Sequence, residues 1–124
     1  MISVRQVEGK GRGVFAGRPF LEGALIERAP VIVIPTAQTH HIEESVLRIF
    51  YYDWNKQIGD RAIVLGYGSL YNHSYQPNAR YVRRLDEREM DFVALRPIAE
   101  GEEICVNYNG IIDDTSPVDF EVAP

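Results

Sequence analysis

The 124-residue sequence has one cysteine, no long apolar run and no leader-like start. Cys105 alone permits neither an internal disulfide nor a cysteine-built zinc site, and the adjacent His40 and His41 have no further ligands at metal-binding spacing. No apolar run is longer than residues 31–34, far below the roughly 20 residues of a membrane-spanning helix. Residues 1–5 lack the charged and apolar parts of a secretory signal. These absences predict a non-secreted, cytoplasmic protein without a metal or a membrane segment.

Charge is unevenly placed along the chain, although the net value is only −5. Residues 1–85 carry 11 Lys and Arg against 7 Asp and Glu, a balance of +4. Residues 86–124 carry 2 against 11, a balance of −9. Such an acidic third either serves solubility or attracts a basic partner. The overall balance does not favour general binding of nucleic acid, which usually requires a basic domain.

Short strands dominate the pattern, which predicts one mainly β domain. Strands are expected at residues 1–7, 13–16, 25–35 and 103–108, together with a hairpin that pairs 80–85 with 90–95. Two segments, 16–26 and 94–104, share six of eleven residues, and each has an Arg-Pro stop and a Glu-Gly turn. We interpret them as two similar β-turn-β units rather than as a repeat array, since only two are present.

One segment, residues 36–60, differs from the rest and is the only predicted helical insert. Its apolar residues recur at a spacing that suits one face of a helix running to residue 50, with Thr39 as the cap. Tyr51, Tyr52 and Trp54 follow this helix. Aromatic clusters of this kind usually serve packing, so these three side chains are predicted to belong to the core or its cover.

The densest group of functional side chains lies at residues 71–79, which read Tyr-Asn-His-Ser-Tyr-Gln-Pro-Asn-Ala. Asn, Ser and Pro are common in turns, so one explanation is a connecting turn without a binding function, and the other is a binding loop. His73 also suits a buried histidine with satisfied hydrogen bonds. Asn72-His73-Ser74 matches a glycosylation acceptor, which the lack of a secretory signal argues against. The glycine-rich residues 9–13 form either a hairpin turn or a close backbone approach to a ligand.

Three elements occur in a definite order along the chain: Gly11-Arg12-Gly13-Val14-Phe15, Asn72-His73-Ser74-x-x-Pro77-Asn78 and Gly101-Glu102-Glu103-Ile104-Cys105-Val106-Asn107-Tyr108. Together they resemble the SET domain family of protein-lysine methyltransferases, over about residues 3–110. The run at 65–74 is similar to minimal, stand-alone members from viruses and microbes. The resemblance implies a mainly β, β-clip-like SET domain at 1–110, with several small sheets and a C-terminal pseudoknot. Within this scheme, 36–60 is a variable helical insert and 111–124 is a C-terminal tail.

This resemblance also implies an activity, namely protein-lysine N-methylation with S-adenosylmethionine as the cofactor and a histone tail or another basic protein as the substrate. Cofactor contacts are then expected from Gly11, Arg12, Gly13, Asn72 and His73. The expected catalytic residue is Tyr108, and the expected lining of the substrate channel is Tyr67, Tyr71 and Val106. Neither nucleic acid nor a membrane is an expected partner. Action on eukaryotic chromatin would place the protein in the nucleus.

Two alternatives stay open on the sequence alone. One is a catalytically inactive module of the same fold that binds a basic peptide or partner; the intact Asn72, His73 and Tyr108 favour the enzyme over it. The other concerns the end of the substrate channel, where the family often uses residues beyond the catalytic tyrosine. Either the short tail at 111–124 suffices, or a second subunit of a homodimer supplies the wall.

Overall fold

The structure, a computed structural model, describes residues 1–109, so the predicted tail at 111–124 lies outside the described residues. Within this range the chain is built mainly of strands, with only short helical turns. The strands are β1 (Ile2–Val7), β2 (Gly11–Ala16), β3 (Leu25–Ile34), β4 (Tyr51–Asn55), β5 (Asp60–Val64), β6 (Asn72–His73), β7 (Ala79–Arg84), β8 (Glu89–Ala94) and β9 (Glu103–Val106). The helical elements are α1 (Thr39–Glu43) and the 3-10 turns Thr36–Gln38, Val46–Ile49 and Gly68–Leu70.

The strands form two sheets, which confirms the predicted mainly β fold of several small sheets. One sheet has the order β1-β2-β9-β6, and the other has the order β4-β5-β3-β8-β7. In the first sheet β9 pairs antiparallel with β2 and parallel with β6, where Asn72 lies opposite Cys105 and His73 opposite Val106. The last described strand therefore lies between two strands from earlier in the chain. This arrangement agrees with the expected C-terminal pseudoknot and brings β6 against the end of β9.

The two similar β-turn-β segments pair with each other about a local twofold axis. The turn glycine of the second segment, Gly101, donates its N–H to the Ala16 carbonyl at 2.7 Å. Its counterpart Gly23 donates to the Ala94 carbonyl at 2.8 Å. Both glycines have φ above +80°, a conformation that a side chain would strain. The sequence likeness of the two segments thus reflects equivalent places in one symmetric contact.

The predicted helix from Thr39 to residue 50 is wrong, because the helix ends after α1. Ser45 adopts an extended conformation, with φ −128° and ψ 175°. Its hydroxyl donates to the Ile42 carbonyl at 2.9 Å and accepts from the Leu47 N–H at 3.1 Å. A serine that bonds nearby backbone groups in this way competes with helix continuation. Thr39 is not the cap either, since its hydroxyl donates to the Thr36 carbonyl at 2.9 Å.

The second half of the insert is a strand, β4, which pairs with β5 in the five-stranded sheet. Tyr52 and Trp54 point into the core, with 7% and 6% exposure, so the predicted packing role is confirmed for these two side chains. Tyr51 faces the other side, where the Arg61 guanidinium lies 4.4 Å from its ring centre. The predicted hairpin of 80–85 with 90–95 is also confirmed, as β7 and β8, with Arg84 opposite the start of β8.

One core joins the two sheets and fixes the end of β9. Its largest fully buried side chains are Tyr71, Phe20, Phe92, Met90, Ile98, Ile104, Val14 and Val106. The predicted last strand, 103–108, ends two residues early, at Val106. Its side chains are buried on both faces, as are Cys105 and the following Asn107. Tyr108 therefore lies in the turn that follows the strand, at the margin of this core.

Candidate active site

Four tyrosines from four parts of the chain form one cluster, in which three rings pack on Phe92 and the fourth packs against a tyrosine ring. They are Tyr52 from β4, Tyr71 before β6, Tyr81 from β7 and Tyr108 after β9, here called the tyrosine cluster. The Tyr52 ring centre lies 4.8 Å from that of Tyr81 and 6.0 Å from that of Tyr108, both edge-on. The Tyr71 ring stacks on Phe92 at 4.3 Å. Such spacings are typical of packed aromatic rings and make the cluster rigid.

Tyr108 is held at three points by groups of the cluster and of β6. Its hydroxyl donates to the Tyr71 carbonyl. Its backbone N–H donates to His73 Nδ1 at 2.9 Å, and its carbonyl accepts from the Tyr81 hydroxyl at 3.2 Å. The residue as a whole is intermediate in burial. Burial of the hydroxyl raises the pKa of Tyr108 well above its usual value, which keeps the phenol protonated near neutral pH.

His73 is buried and connects the polar loop to Tyr108. Because Nδ1 accepts the Tyr108 N–H, the imidazole is the neutral tautomer that carries its proton on Nε2. Burial, and secondarily the positive charge of Lys10, lower the pKa of His73 below its ordinary value of 6.5. The ring of Tyr75 lies edge-on at 4.4 Å from the His73 ring. In this structure the His73 ring holds the backbone of Tyr108 in place by accepting its N–H.

This lowered pKa of His73 predicts that the protein loses stability in mild acid. Below pH 6.5 the unfolded chain binds a proton that the folded chain excludes, so the free energy of unfolding falls as pH falls. The expected slope is at most about 1.4 kcal/mol per pH unit. It can be measured by urea denaturation between pH 7 and pH 5. The paired carboxylates of Glu43, Asp91 and Glu102 have pKa values below their usual values of 4.5, 3.8 and 4.5, so they titrate at lower pH.

The matched control for this pH effect is His73→Asn, whose side-chain oxygen can accept the Tyr108 N–H and does not titrate. We expect this variant to have a flatter profile between pH 7 and pH 5. Exposed His40 and His41 remain in both proteins and therefore cancel in the comparison. An unchanged slope in His73→Asn would show that another group causes the acid sensitivity.

A second group of predicted residues meets where β2, β6 and β9 run side by side. The Asn72 side-chain N–H groups donate to the Arg12 carbonyl at 2.9 Å and to the Glu103 carboxylate at 2.7 Å. A Cβ on Gly13 would lie 2.5 Å from the same carboxylate and 2.9 Å from the Asn72 amide nitrogen. A side chain at this position would require the Glu103 and Asn72 side chains to move. Gly11 differs, since its Cβ would meet open space and its φ of +81° is the constraint.

Two charged residues that were not among the predicted site residues join this group. Glu103 accepts from Asn72 and also pairs with the Lys10 ammonium at 3.2 Å, each side chain being 18% exposed. Lys10 lies between the glycines of the 9–13 segment, and Glu103 is the second glutamate of the Gly-Glu-Glu element. A cation and an anion therefore stand side by side next to Gly13. Their pairing joins positions 93 residues apart, which no local pattern indicates.

Asn78 ties the polar loop to β9 and is itself buried, with 3% exposure. Its amide donates to the Glu103 carbonyl at 2.8 Å and to the Glu102 carboxylate at 3.0 Å. Its side-chain oxygen accepts from the Cys105 N–H at 2.9 Å. These bonds give Asn78 a structural function, since they fix the polar loop against β9.

The three predicted channel residues occupy unlike places. Tyr71 is buried in the tyrosine cluster, and its carbonyl receives the Tyr108 hydroxyl. Val106 is fully buried opposite His73. Tyr67 lies at the surface with 37% exposure. The fold thus brings Tyr71, Val106 and His73 to Tyr108 and leaves Tyr67 at the end of the same loop. A channel function for these residues stays a prediction.

The acidic surplus of the last third lies partly in the described part of the chain, where residues 86–109 carry 2 Lys and Arg against 7 Asp and Glu, a balance of −5. Residues 1–109 carry 13 Lys and Arg against 14 Asp and Glu, because four of the 18 acidic residues lie at 113, 114, 119 and 121. Several acids in this part are paired. Asp91 bonds Arg28 at 2.8 Å, and Glu102 bonds Arg96 at 2.9 Å. Attraction of a basic partner by the acidic third would therefore draw on residues 86–109 as well as on the four acidic residues outside the described range.

Within residues 1–109, three or more His, Cys, Asp or Glu side chains never converge as a metal ion would require. No helix in the same range is long and apolar enough to cross a membrane.

Comparison with known proteins relates this arrangement to one family. Residues 11–109 match the SET domain. A curated relative from Schizosaccharomyces pombe, named histone-lysine N-methyltransferase, H3 lysine-37 specific, is 32% identical over 108 residues, which cover 86% of this chain and 72% of the relative. A solved Plasmodium falciparum structure of a candidate histone methyltransferase has a TM-score of 0.70 at 25% identity, and the match covers 86% of this chain and 91% of that one.

A larger assembly contains the same fold. In a humanized mutant of the Chaetomium thermophilum Polycomb Repressive Complex 2, bound to the inhibitor GSK126, one chain matches 86% of this protein with a TM-score of 0.70. The match covers 14% of that chain at 23% identity, which is a likeness in fold alone. The family match and the curated relative carry the assignment: the chain belongs to the SET domain family, whose class of enzyme is the protein-lysine methyltransferases.

Proposed function

We propose that this protein transfers a methyl group from S-adenosylmethionine to a lysine of a histone. The observation that carries the proposal is the placement of Tyr108, a residue at the margin of the core whose protonated phenol is held by Tyr71, His73 and Tyr81. The curated relative that is 32% identical, named for action on histone H3, supports the choice of substrate. A basic histone tail also suits the acidic residues that follow position 110.

The residues around Gly13 fit the amino-acid end of the cofactor. That end carries both an ammonium and a carboxylate, and the site offers the Glu103 carboxylate beside the Lys10 ammonium. Open space beside Gly11 lets a ligand approach the backbone there, whereas Glu103 and Asn72 already fill the space beside Gly13. Asn72 stands between the glycine segment and Glu103, so its amide can serve the same ligand. S-adenosylmethionine would supply the activated methyl group at this place.

The reaction requires a neutral amine as well as a bound cofactor, and the tyrosine cluster suits this requirement. Lysine has an ordinary pKa of about 10.4, so its ammonium must lose a proton before it can attack. An environment of buried aromatic rings disfavours the charged form and lowers that pKa. Burial raises the pKa of Tyr81 to about 12 and that of Tyr52 well above its usual value, so these phenols stay neutral as well. The proton would leave to water.

Tyr108 would orient the amine rather than remove its proton. A phenol with a raised pKa is a weak source of phenolate, but its oxygen can accept a hydrogen bond from an amine while its O–H bonds the Tyr71 carbonyl. Alignment of an attacking group in this way is worth roughly 7–11 kcal/mol of the barrier. Because Tyr108 lies at the margin of the core, we further propose that residues beyond 110, or a second subunit, complete the channel wall.

Calorimetry with S-adenosylmethionine and its demethylated product, S-adenosylhomocysteine, tests the cofactor part of the proposal. Both ligands are expected to bind the wild-type protein, and Asn72→Ala is expected to weaken binding about tenfold, which corresponds to about 1.4 kcal/mol. Half-buried Asn55, at the end of β4 in the other sheet, provides the control substitution Asn55→Ala; its side-chain oxygen accepts only from the nearby Gln57 N–H among the bonds of the described residues. No detectable binding of either ligand at millimolar concentration would contradict the proposed enzymatic activity. It would favour a catalytically inactive module of the same fold that binds a peptide.

A further inference from the structure

Glu27 occupies a specially built position in β3. The pairing of β3 with β8 shifts register between Leu25 and Glu27, a bulge that redirects the following side chain. The Glu27 carboxylate is half-buried, and each of its oxygens has its own partner. One oxygen accepts from the Tyr71 hydroxyl at 2.9 Å, and the other accepts from the Tyr67 N–H at 2.9 Å. Both partners belong to the loop that leads into β6.

The loop reserves space for this carboxylate at Gly66. A side chain at this position would overlap a carboxylate oxygen of Glu27, and the φ of +61° also favours glycine. Three separate features, namely the bulge in β3, the glycine and the buried tyrosine hydroxyl, therefore converge on Glu27. A glutamate that served only solubility would need none of them.

The contacts of Glu27 continue to the proposed catalytic residue. Glu27 holds both ends of the loop segment from Tyr67 to Tyr71, through a backbone N–H at one end and a phenol at the other. Phe92 supports the face of the Tyr71 ring. The Tyr71 carbonyl then receives the hydroxyl of Tyr108. The direction of that hydroxyl consequently depends on where Glu27 sets the Tyr71 backbone.

We propose that Glu27 is the positioning residue of the site: it anchors the segment from Tyr67 to Tyr71 and thereby sets the direction of the Tyr108 hydroxyl. The inference rests on the proposed function, because the direction of this hydroxyl affects a rate only if Tyr108 takes part in methyl transfer. Glu27 itself acts through Tyr71 and has no assigned contact with the reacting atoms. Its loss should therefore lower kcat and leave the binding of the cofactor unchanged.

Two variants and one matched control test this role. Glu27→Gln keeps the size of the side chain but has a single acceptor oxygen, so either the Tyr67 N–H or the Tyr71 O–H can no longer donate to residue 27. Tyr71→Phe removes the hydroxyl that donates to Glu27 and keeps the stacking of the ring on Phe92. Glu22→Gln makes the same change of charge in an exposed turn. The readouts are kcat and KM for a histone peptide, normalised to the number of cofactor-binding molecules counted by calorimetry.

We expect Glu27→Gln and Tyr71→Phe each to lower kcat about 10- to 100-fold, the cost of a small misplacement of an aligned group. The double variant should lose no more than the larger single effect, since both changes break one connection. Glu22→Gln should match the wild type. If Glu27→Gln fails to fold, the kcat of Tyr71→Phe alone decides the test.

A merely structural Glu27 would give a different result. Both variants would then melt at lower temperature while kcat per cofactor-binding molecule stayed at the wild-type value, and this outcome overturns the inference. A failure of the proposed function is distinguishable from it, because the wild-type protein itself would then transfer no methyl group.

Discussion

Replacing Tyr108 with phenylalanine is expected to lower kcat for methyl transfer about 100- to 1000-fold, the usual cost of removing one preorganised polar group at a reacting centre. The change deletes only the hydroxyl, which donates to the Tyr71 carbonyl. The backbone bonds of this residue to His73 and Tyr81 do not involve the hydroxyl and should persist. Cofactor affinity should therefore be unchanged, and the loss should appear in kcat.

The Tyr108 prediction has a matched control in Tyr51→Phe, which also removes one hydroxyl. The Tyr51 hydroxyl donates to Glu43 on the insert, away from the tyrosine cluster. Initial rates of labelled-methyl transfer, together with calorimetry of the cofactor, separate chemistry from binding in each variant. Wild-type kcat in Tyr108→Phe, with cofactor binding intact, would show that the hydroxyl has no function in the reaction.

Asn78→Ala is expected to lower the free energy of unfolding by about 3 kcal/mol, because it leaves buried polar groups of β9 without their partner. The substitution removes the acceptor for the Cys105 N–H and the donor to the Glu103 carbonyl. Water cannot easily replace a side chain with 3% exposure. Urea denaturation at pH 7 measures the change.

Asn72→Ala is the informative comparison for Asn78→Ala. Asn72 is half-buried, so solvent can take over its bonds to Arg12 and Glu103, and the expected loss of stability is below about 1 kcal/mol. The two asparagines should thus separate into one that holds the fold and one that binds the cofactor. Equal losses of stability in both variants would contradict this division.

The sequence predicts well those parts of the fold whose signals are local. The hairpin of β7 and β8 follows from two alternating runs around a charged turn, and β3 follows from a β-branched run before Pro35. Spacing alone over-extends a helix through the insert, because it ignores the competing bonds of Ser45. The sequence analysis also misses the strand β4, because its aromatic residues suit either a helix face or a buried strand.

The site divides along the same line between local and long-range signals. Asn72, His73 and Tyr108 belong to recognisable motifs, and the fold brings His73 and Tyr108 into direct contact. The bonds of Glu27 and Glu103 could not be predicted in this way, because their partners lie 31 to 93 residues away along the chain. Only the fold brings those partners together. The one local hint is glycine: Gly13 and Gly66 each mark a place where a carboxylate approaches the backbone.

The most direct test of the central claim is transfer of a labelled methyl group from S-adenosylmethionine to purified histones, with Tyr108→Phe as the blank. The proposal predicts label on a histone lysine with the wild-type protein and a loss of about 100-fold or more with the variant. Fragment masses then identify the lysine. A wild-type protein that binds the cofactor but labels neither histones nor any protein of a cell lysate would contradict the assignment as an active lysine methyltransferase.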